Sequence, residues 1–134
     1  MDIQIIEIPK FEDYTGNVGV IEKSTMPFEP KRIFYLYNIL GDSKRGEHAH
    51  KELKQFLIAI AGSFDFTVTD GTNREVIRLD SPDKGLLVNP GLWGELSNFS
   101  LGTVCMVLAS DVYDESDYIR NYDDYLEYVK TNKK

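Results

Sequence analysis

The stretch Arg45-Gly46-Glu47-His48-Ala49-His50-Lys51-Glu52-Leu53-Lys54-Gln55 carries both histidines of this 134-residue chain. On a β-strand, residues two apart project to the same face, so His48 and His50 point one way and Ala49 the other. Glu47 alternates with His48 and belongs to the opposite face. Two imidazoles on one face, beside Arg45 and Lys51, are better explained by chemistry than by a chance core placement.

Outward from this strand the same pattern of β-formers and turns continues. Ile3–Ile8, Val18–Glu22, Arg32–Tyr37, Gln55–Ala61, Ser63–Thr69, Arg74–Leu79, Leu86–Asn89, Leu92–Ser97 and Thr103–Ser110 read as strands. Asp13-Tyr14-Thr15-Gly16, Gly62, Asp70-Gly71, Ser81-Pro82 and Pro90-Gly91 supply turns between them. Many short strands at this spacing predict an all-β sandwich or closed barrel, formed by residues 1–134 as one domain. Only the C-terminus reads as helix. Tyr118, Tyr122, Tyr125, Leu126 and Val129 recur at three- and four-residue spacing, with Asp117 or Asn121 as cap and Lys130, Lys133 and Lys134 suited to the C-terminal dipole.

Composition narrows the function. A net charge of −7 argues against a general nucleic-acid binder, which needs a basic surface. Arginines gathered in a pocket still suit a small anionic substrate. The acidic residues between Asp111 and Glu127 read as a solvated surface. The single Cys105 lies in an apolar run and reads as a buried small hydrophobe. No apolar stretch approaches the ~20 residues that cross a bilayer, and the first residues are not a signal peptide. The expectation is a soluble, cytoplasmic protein.

The glycine followed by His48-x-His50 resembles the first cupin motif, which implies a cupin, or jelly-roll, β-barrel with a short C-terminal helix. Gln55 takes the place of that motif's acidic ligand, and Gly62 that of its later glycine. In the second motif, Pro90-Gly91-Leu92-Trp93-Gly94-Glu95, the histidine position falls on Gly94. A catalytic transition metal usually holds at least three strong protein ligands. Two histidines and a neutral amide fall short of that set, so the histidines are expected to act as acid and base, with no metal and no cofactor.

From Lys31 to about Lys130 the chain also resembles the sugar-nucleotide 3,4-ketoisomerases. Lys31-Arg32-Ile33-Phe34-Tyr35, Arg45–Lys51, Leu79-Asp80-Ser81-Pro82, Val107–Asp111 and Tyr113–Asp123 carry the likeness. It implies an isomerase that converts dTDP-4-keto-6-deoxyglucose to its 3-keto form without a metal, in deoxyamino-sugar biosynthesis for surface glycans or natural products. It also implies a homodimer whose N-terminal strands pair with the partner's sheet.

With this reaction in view, His50 is the expected base at C3, since a neutral imidazole suits proton abstraction near pH 7. His48 would hydrogen-bond the enediolate or relay the second proton. Tyr35 is a candidate to polarise the carbonyl, or else a barrel-lining aromatic. Arg32 and Arg45, then Lys51, are candidates for the diphosphate, and Gln55 for the substrate. Trp93 reads as core or as a stacking partner for thymine. Position 94 in this family typically carries a histidine or arginine facing the sugar, and Thr15 replaces a larger turn residue. Both departures leave the C4 configuration of the product open. A water in the space above Gly94 is expected to deliver the C4 proton. The rival readings are a non-catalytic sugar-nucleotide binder, a metal-dependent dioxygenase and a 3,5-epimerase-like cupin. The last is disfavoured because no His–Asp pair is recognisable in the sequence.

Overall fold

In a computed structural model, which describes residues 1–132, the β-forming runs become twelve strands among the described residues. They are β1 (Ile3–Glu7), β2 (Lys10–Asp13), β3 (Gly16–Gly19), β4 (Arg32–Leu36), β5 (Arg45–His50) and β6 (Gln55–Ala61). The chain continues with β7 (Phe64–Thr69), β8 (Arg74–Leu79), β9 (Lys84–Val88), β10 (Trp93–Ser97), β11 (Val104–Ala109) and β12 (Tyr118–Ile119). Two five-stranded sheets, in the orders β1-β9-β6-β11-β4 and β12-β5-β10-β7-β8, are antiparallel throughout. This is the expected jelly-roll barrel.

Strand alternation sorts the side chains into three apolar clusters. Leu57, Phe64, Phe66, Val68, Leu86 and Val107 fill the space between the sheets. Phe56, Ile58, Leu87 and Leu108 lie on the outer face of the first sheet, where Ile21, Met26 and Phe28 cover them. Ala49, Trp93 and Ile119 form an outer cluster on the second sheet, under Tyr125 of α1 (Tyr122–Thr131). Tyr125 is fully buried, and its hydroxyl donates to the carbonyls of Gly91 at 2.8 Å and Thr69 at 3.1 Å. The helix is thereby fixed to two turns of the barrel.

Two elements differ from the sequence reading. The helix begins at Tyr122, not Tyr118, because Asn121 has extended backbone and its side chain caps the Asp124 N–H. Tyr118 and Ile119 pair instead with His50 and Ala49 as an extra strand. The three-residue spacing of Tyr118 continues the helical stripe by coincidence, across a cap. Of the basic residues assigned to the helix end, Lys130 lies in its last turn, while Lys133 and Lys134 lie outside the described residues. The second difference is at the N-terminus. The turn expected at Asp13-Tyr14-Thr15-Gly16 forms, with Asp13 accepting from both the N–H and the hydroxyl of Thr15, but it folds an additional strand, β2, onto β3 as a hairpin. The strand expected at Val18–Glu22 therefore ends at Gly19, and the chain then crosses the first sheet.

Candidate active site

The site grows from an irregularity in β5. His48 pairs with Gly94 and Ala49 with Trp93, but Arg45 pairs with Leu96, so β5 carries one residue too many between them. Such a β-bulge re-aims side chains. It occurs at Gly46 and Glu47, which both have positive φ. Gly46, at φ +90°, is the residue type this backbone favours, and a Cβ there would stand 3.0 Å from Leu96. Simple alternation places Arg45 on the face opposite the histidines. The bulge turns it back, so Arg45, His48 and His50 all line one cavity of about 270 Å³ between the sheets.

Beyond β5 lies the pairing that decides the chemistry. Nδ1 of His50 is 3.1 Å from Oδ2 of Asp117. The carboxylate of Asp117 also accepts from the backbone N–H of Glu52 at 2.7 Å and of Leu53 at 3.3 Å. A carboxylate only accepts, so Nδ1 of His50 carries the hydrogen and Nε2 is left as the basic nitrogen. That Nε2 is buried and has no hydrogen-bond partner in the protein. Burial lowers the pKa of His50, and Asp117 opposes this by stabilising the imidazolium. His48 is pushed down to about 4 by burial and by the nearby His50 and Arg120. Both rings are neutral at pH 7.

Tyr118 completes the group. Its ring centroid is 4.3 Å from that of His50 and 4.9 Å from that of His48, and the histidines are 4.8 Å apart. The Arg120 guanidinium lies 4.3 Å from the Tyr118 centroid, and Glu115 holds it by two bonds of 2.6 and 2.9 Å. Tyr113 donates to the same carboxylate. The acidic stretch read as solvated surface is therefore partly structural: Asp117 orients an imidazole and Glu115 anchors an arginine. The structure also overturns the statement that a His–Asp pair is missing, because Asp117 follows His50 by 67 residues and only the β12–β5 pairing joins them.

The remaining expected residues divide. Gln55 lines the cavity, as does Asn89, which the sequence reading passed over. Tyr35 does not. On β4 the side chains of Phe34 and Leu36 turn into the barrel, so Tyr35 turns out, 60% exposed. Trp93 occupies the outer face of β10, against Tyr122 and Tyr125, and is core to the helix packing rather than a stacking platform in the cavity. Arg32 lines a neighbouring recess with Asp114 and Asp117; it stacks on Phe34 and Tyr113, and its Nε is buried without a partner. Lys51 is exposed in the turn after β5 and does not line the cavity. Arg120 stands in the cavity where Arg32 was expected. The signal for Asp117, Tyr118 and Arg120 was the Tyr113–Asp123 stretch itself, which carries little helical character before Asn121.

Position 94 is also different from the expectation. Gly94 faces His48 across the β5–β10 ladder, and a Cβ on it would lie 2.3 Å from Cζ of Phe66. The phenyl ring, not a water, takes up the space that a side chain at 94 would need. No group of three or more His, Cys, Asp or Glu side chains among the described residues is placed to hold a metal ion.

The fold is that of a cupin, and its cavity pairs an imidazole couple with arginines, the make-up of an acid–base site for an anionic substrate. The FdtA family model (WxcM-like, C-terminal) matches residues 1–130, and the chain belongs to this family, that of the sugar-nucleotide 3,4-ketoisomerases. It is 43% identical over 130 residues to the TDP-4-oxo-6-deoxy-alpha-D-glucose-3,4-oxoisomerase of Aneurinibacillus thermoaerophilus, covering 96% of this chain and 94% of that one. A 3,4-ketoisomerase from Helicobacter canadensis superimposes with a TM-score of 0.94 at 43% identity, over 97% of this chain and 98% of the other. The 3,4-ketoisomerase QdtA from Thermoanaerobacterium thermosaccharolyticum, solved as a histidine-to-asparagine mutant with TDP-4-keto-6-deoxyglucose, gives 0.95 at 36% identity, over 98% and 96%.

Proposed function

We propose that this chain is a 3,4-ketoisomerase of TDP-4-keto-6-deoxyglucose, with His50 as the base that removes the C3 proton. Membership of the ketoisomerase family carries the reaction, and the observation that carries the choice of base is the His50–Asp117 pair, which leaves a buried, unpartnered Nε2 in a side chain that lines the cavity.

In the forward step Nε2 takes the proton from C3. The C–H electron pair forms the C3=C4 bond, and negative charge passes to the C4 oxygen. His48 and Tyr118 are placed to hydrogen-bond this enediolate, Tyr118 in the role the sequence reading assigned to Tyr35. The proton on O3 is then transferred to O4, the ketone forms at C3, and C4 is protonated. The adjacent Asp117 carboxylate makes the His50 imidazole more basic while the ring itself stays uncharged at rest. Arg45 at the rim and Arg120 at the cavity wall hold the diphosphate; Arg45 forms no ion pair among the described residues and is free to do so. Gln55 and Asn89 offer amides to the sugar hydroxyls. A His–Asp pair is equally suited to epimerisation, so family membership rather than this pair sets the reaction apart from that of a 3,5-epimerase.

We also propose that the working form is a cytoplasmic homodimer built by strand exchange. β4 is an open edge of the first sheet, and beside it Ile33, Tyr35 and Tyr37 are exposed. The β2–β3 hairpin stands clear of both sheets with Phe11, Tyr14 and Val18 exposed. A partner's hairpin would cover that edge.

Incubating the protein with TDP-4-keto-6-deoxyglucose and following the sugar protons by NMR tests the activity. The 3-keto product is expected, and His50→Asn is expected to lower turnover by roughly 10²–10⁴-fold while TDP still binds. Near-normal turnover by that variant removes His50 as the base.

A further inference from the structure

We infer that Arg32 is a positioning residue for the base: its unpaired guanidinium, held behind the His50–Asp117 pair, keeps that pair as a neutral imidazole and a carboxylate. The catalytic consequence rests on the ketoisomerase reading above; the charge relationship does not.

The placement of Arg32 follows from strand alternation. On β4, Arg32, Phe34 and Leu36 share the inward face, while Ile33 and Tyr35 face out. Phe34 and Leu36 line the main cavity, but Arg32, one step further along, lines a second recess of about 180 Å³. His50, Leu53 and Tyr118 border both spaces and so form the partition between them. Asp117 lines the recess and not the main cavity. Arg32 and Asp117 therefore meet the imidazole from the side away from the cavity.

Nothing in the recess cancels the charge of Arg32. Its Cζ lies 4.9 Å from the centre of the Phe34 ring and 5.6 Å from that of Tyr113, contacts that hold the guanidinium without neutralising it. Its Nε is buried with no hydrogen-bond partner, and the side chain forms no ion pair among the described residues. Three nearby carboxylates are committed elsewhere. Asp114 accepts from the N–H and hydroxyl of Ser116, Asp111 from the N–H of Val112, and Asp117 from His50, Glu52 and Leu53. A buried, unsatisfied nitrogen costs stability, so its retention calls for a compensating role.

That role lies in the balance of charges around His50. His48 faces it from the same strand, Tyr118 from β12, and Arg45 and Arg120 from the cavity. Arg32, Glu52, Asp111, Asp114 and Asp117 face it from the recess. Glu115 holds Arg120 by two bonds, which offsets much of its field. Burial lowers the pKa of His50, Asp117 raises it, and Arg32 lowers it again, ahead of Arg120. Without Arg32, Asp117 would keep a proton on the ring over a wider acidic range. An imidazolium cannot take the C3 proton. Asp117 orients the ring, and Arg32 offsets the charging that such a carboxylate brings.

The test is the titration of His50 in the substrate-free protein, followed by NMR through its ring Cε1–H resonance. The chain has two histidines, and His48→Gln identifies the resonance of His50. Arg32→Gln is expected to raise the His50 midpoint by about 0.5–1 pH unit, and Arg32→Lys to reverse most of that rise. With TDP-4-keto-6-deoxyglucose, the acidic limb of kcat/KM should move to higher pH by the same amount. A packing role would lower activity without moving either. Arg32→Met keeps the aliphatic stem against Phe34 and Tyr113, and it gives the same comparison where the glutamine variant does not fold. An unmoved His50 midpoint in whichever neutral variant folds overturns the inference. Weaker TDP binding with that midpoint unmoved also overturns it, and assigns Arg32 to the diphosphate. No conversion by the unsubstituted protein would remove the ketoisomerase reading, while the titration would still decide the charge relationship.

Discussion

Nδ1 of His50 lies 3.1 Å from Oδ2 of Asp117, and the same carboxylate accepts from the backbone N–H groups of Glu52 and Leu53. These donors hold the carboxylate in place, so it can hold the ring in turn. Asp117 is therefore a positioning residue for His50. Asp117→Asn keeps the shape and loses the charge. Turnover is expected to fall by about 10²–10⁴-fold, by analogy with carboxylates that orient a catalytic imidazole. Loss of the charge also lowers the His50 pKa further, since Asp117 raises it. The acidic limb of the kcat/KM profile should then move to lower pH. A merely structural role would leave that limb in place.

Acid should destabilise the fold through the same imidazoles. His48 has its pKa lowered from 6.5 to about 4 in the folded state, and His50 is lowered as well. Between pH 6.5 and 4 the unfolded chain binds more protons than the folded one, so stability rises with pH there and is lost as pH falls. His48 accounts for on the order of 2 kcal/mol of that loss. Thermal denaturation across this range should show the melting temperature falling on acidification, and His48→Gln should flatten the fall. A flat profile in the unsubstituted protein would contradict the burial of the pair.

Metal removal should leave activity unchanged. One nitrogen of His50 is engaged by Asp117, and the donors closest to a cupin metal set are two imidazoles and the Gln55 amide. Turnover after exhaustive chelation is the measurement. Activity lost to the chelator and restored by one metal would show that the histidines serve as ligands.

The dimer should depend on the hairpin. Phe11 is 68% and Val18 59% exposed in one chain, and neither belongs to a buried cluster. Phe11→Asp with Val18→Asp should convert a dimer to a monomer in light scattering, with little change in the folded core. A monomer before substitution, or a dimer that persists after it, would rule out this mode of assembly.

The barrel was legible in the sequence because its information is local. Strand alternation puts His48 and His50 on one face whatever the rest of the chain does, and Gly62, Asp70-Gly71 and Pro90-Gly91 mark turns by their own backbone preferences. The resemblance of Arg45–Lys51 and Tyr113–Asp123 to a family extended that reading to the reaction. Other features required the tertiary structure, for identifiable reasons. Arg45 enters the cavity only because a bulge in β5 breaks the alternation, and the bulge exists only against β10. Tyr118 fits the helical stripe by spacing, yet the Asn121 cap leaves it on a strand beside His50. Tyr35 looks equivalent to its inward neighbours until the sheet assigns their faces. Asp117 meets His50 through a strand pairing across 67 residues, and Phe66 fills the space at Gly94 from a third strand. Local propensity fixes which residues form strands and turns. Which distant residues meet depends on how those strands pack, and the acid–base chemistry rests on those meetings.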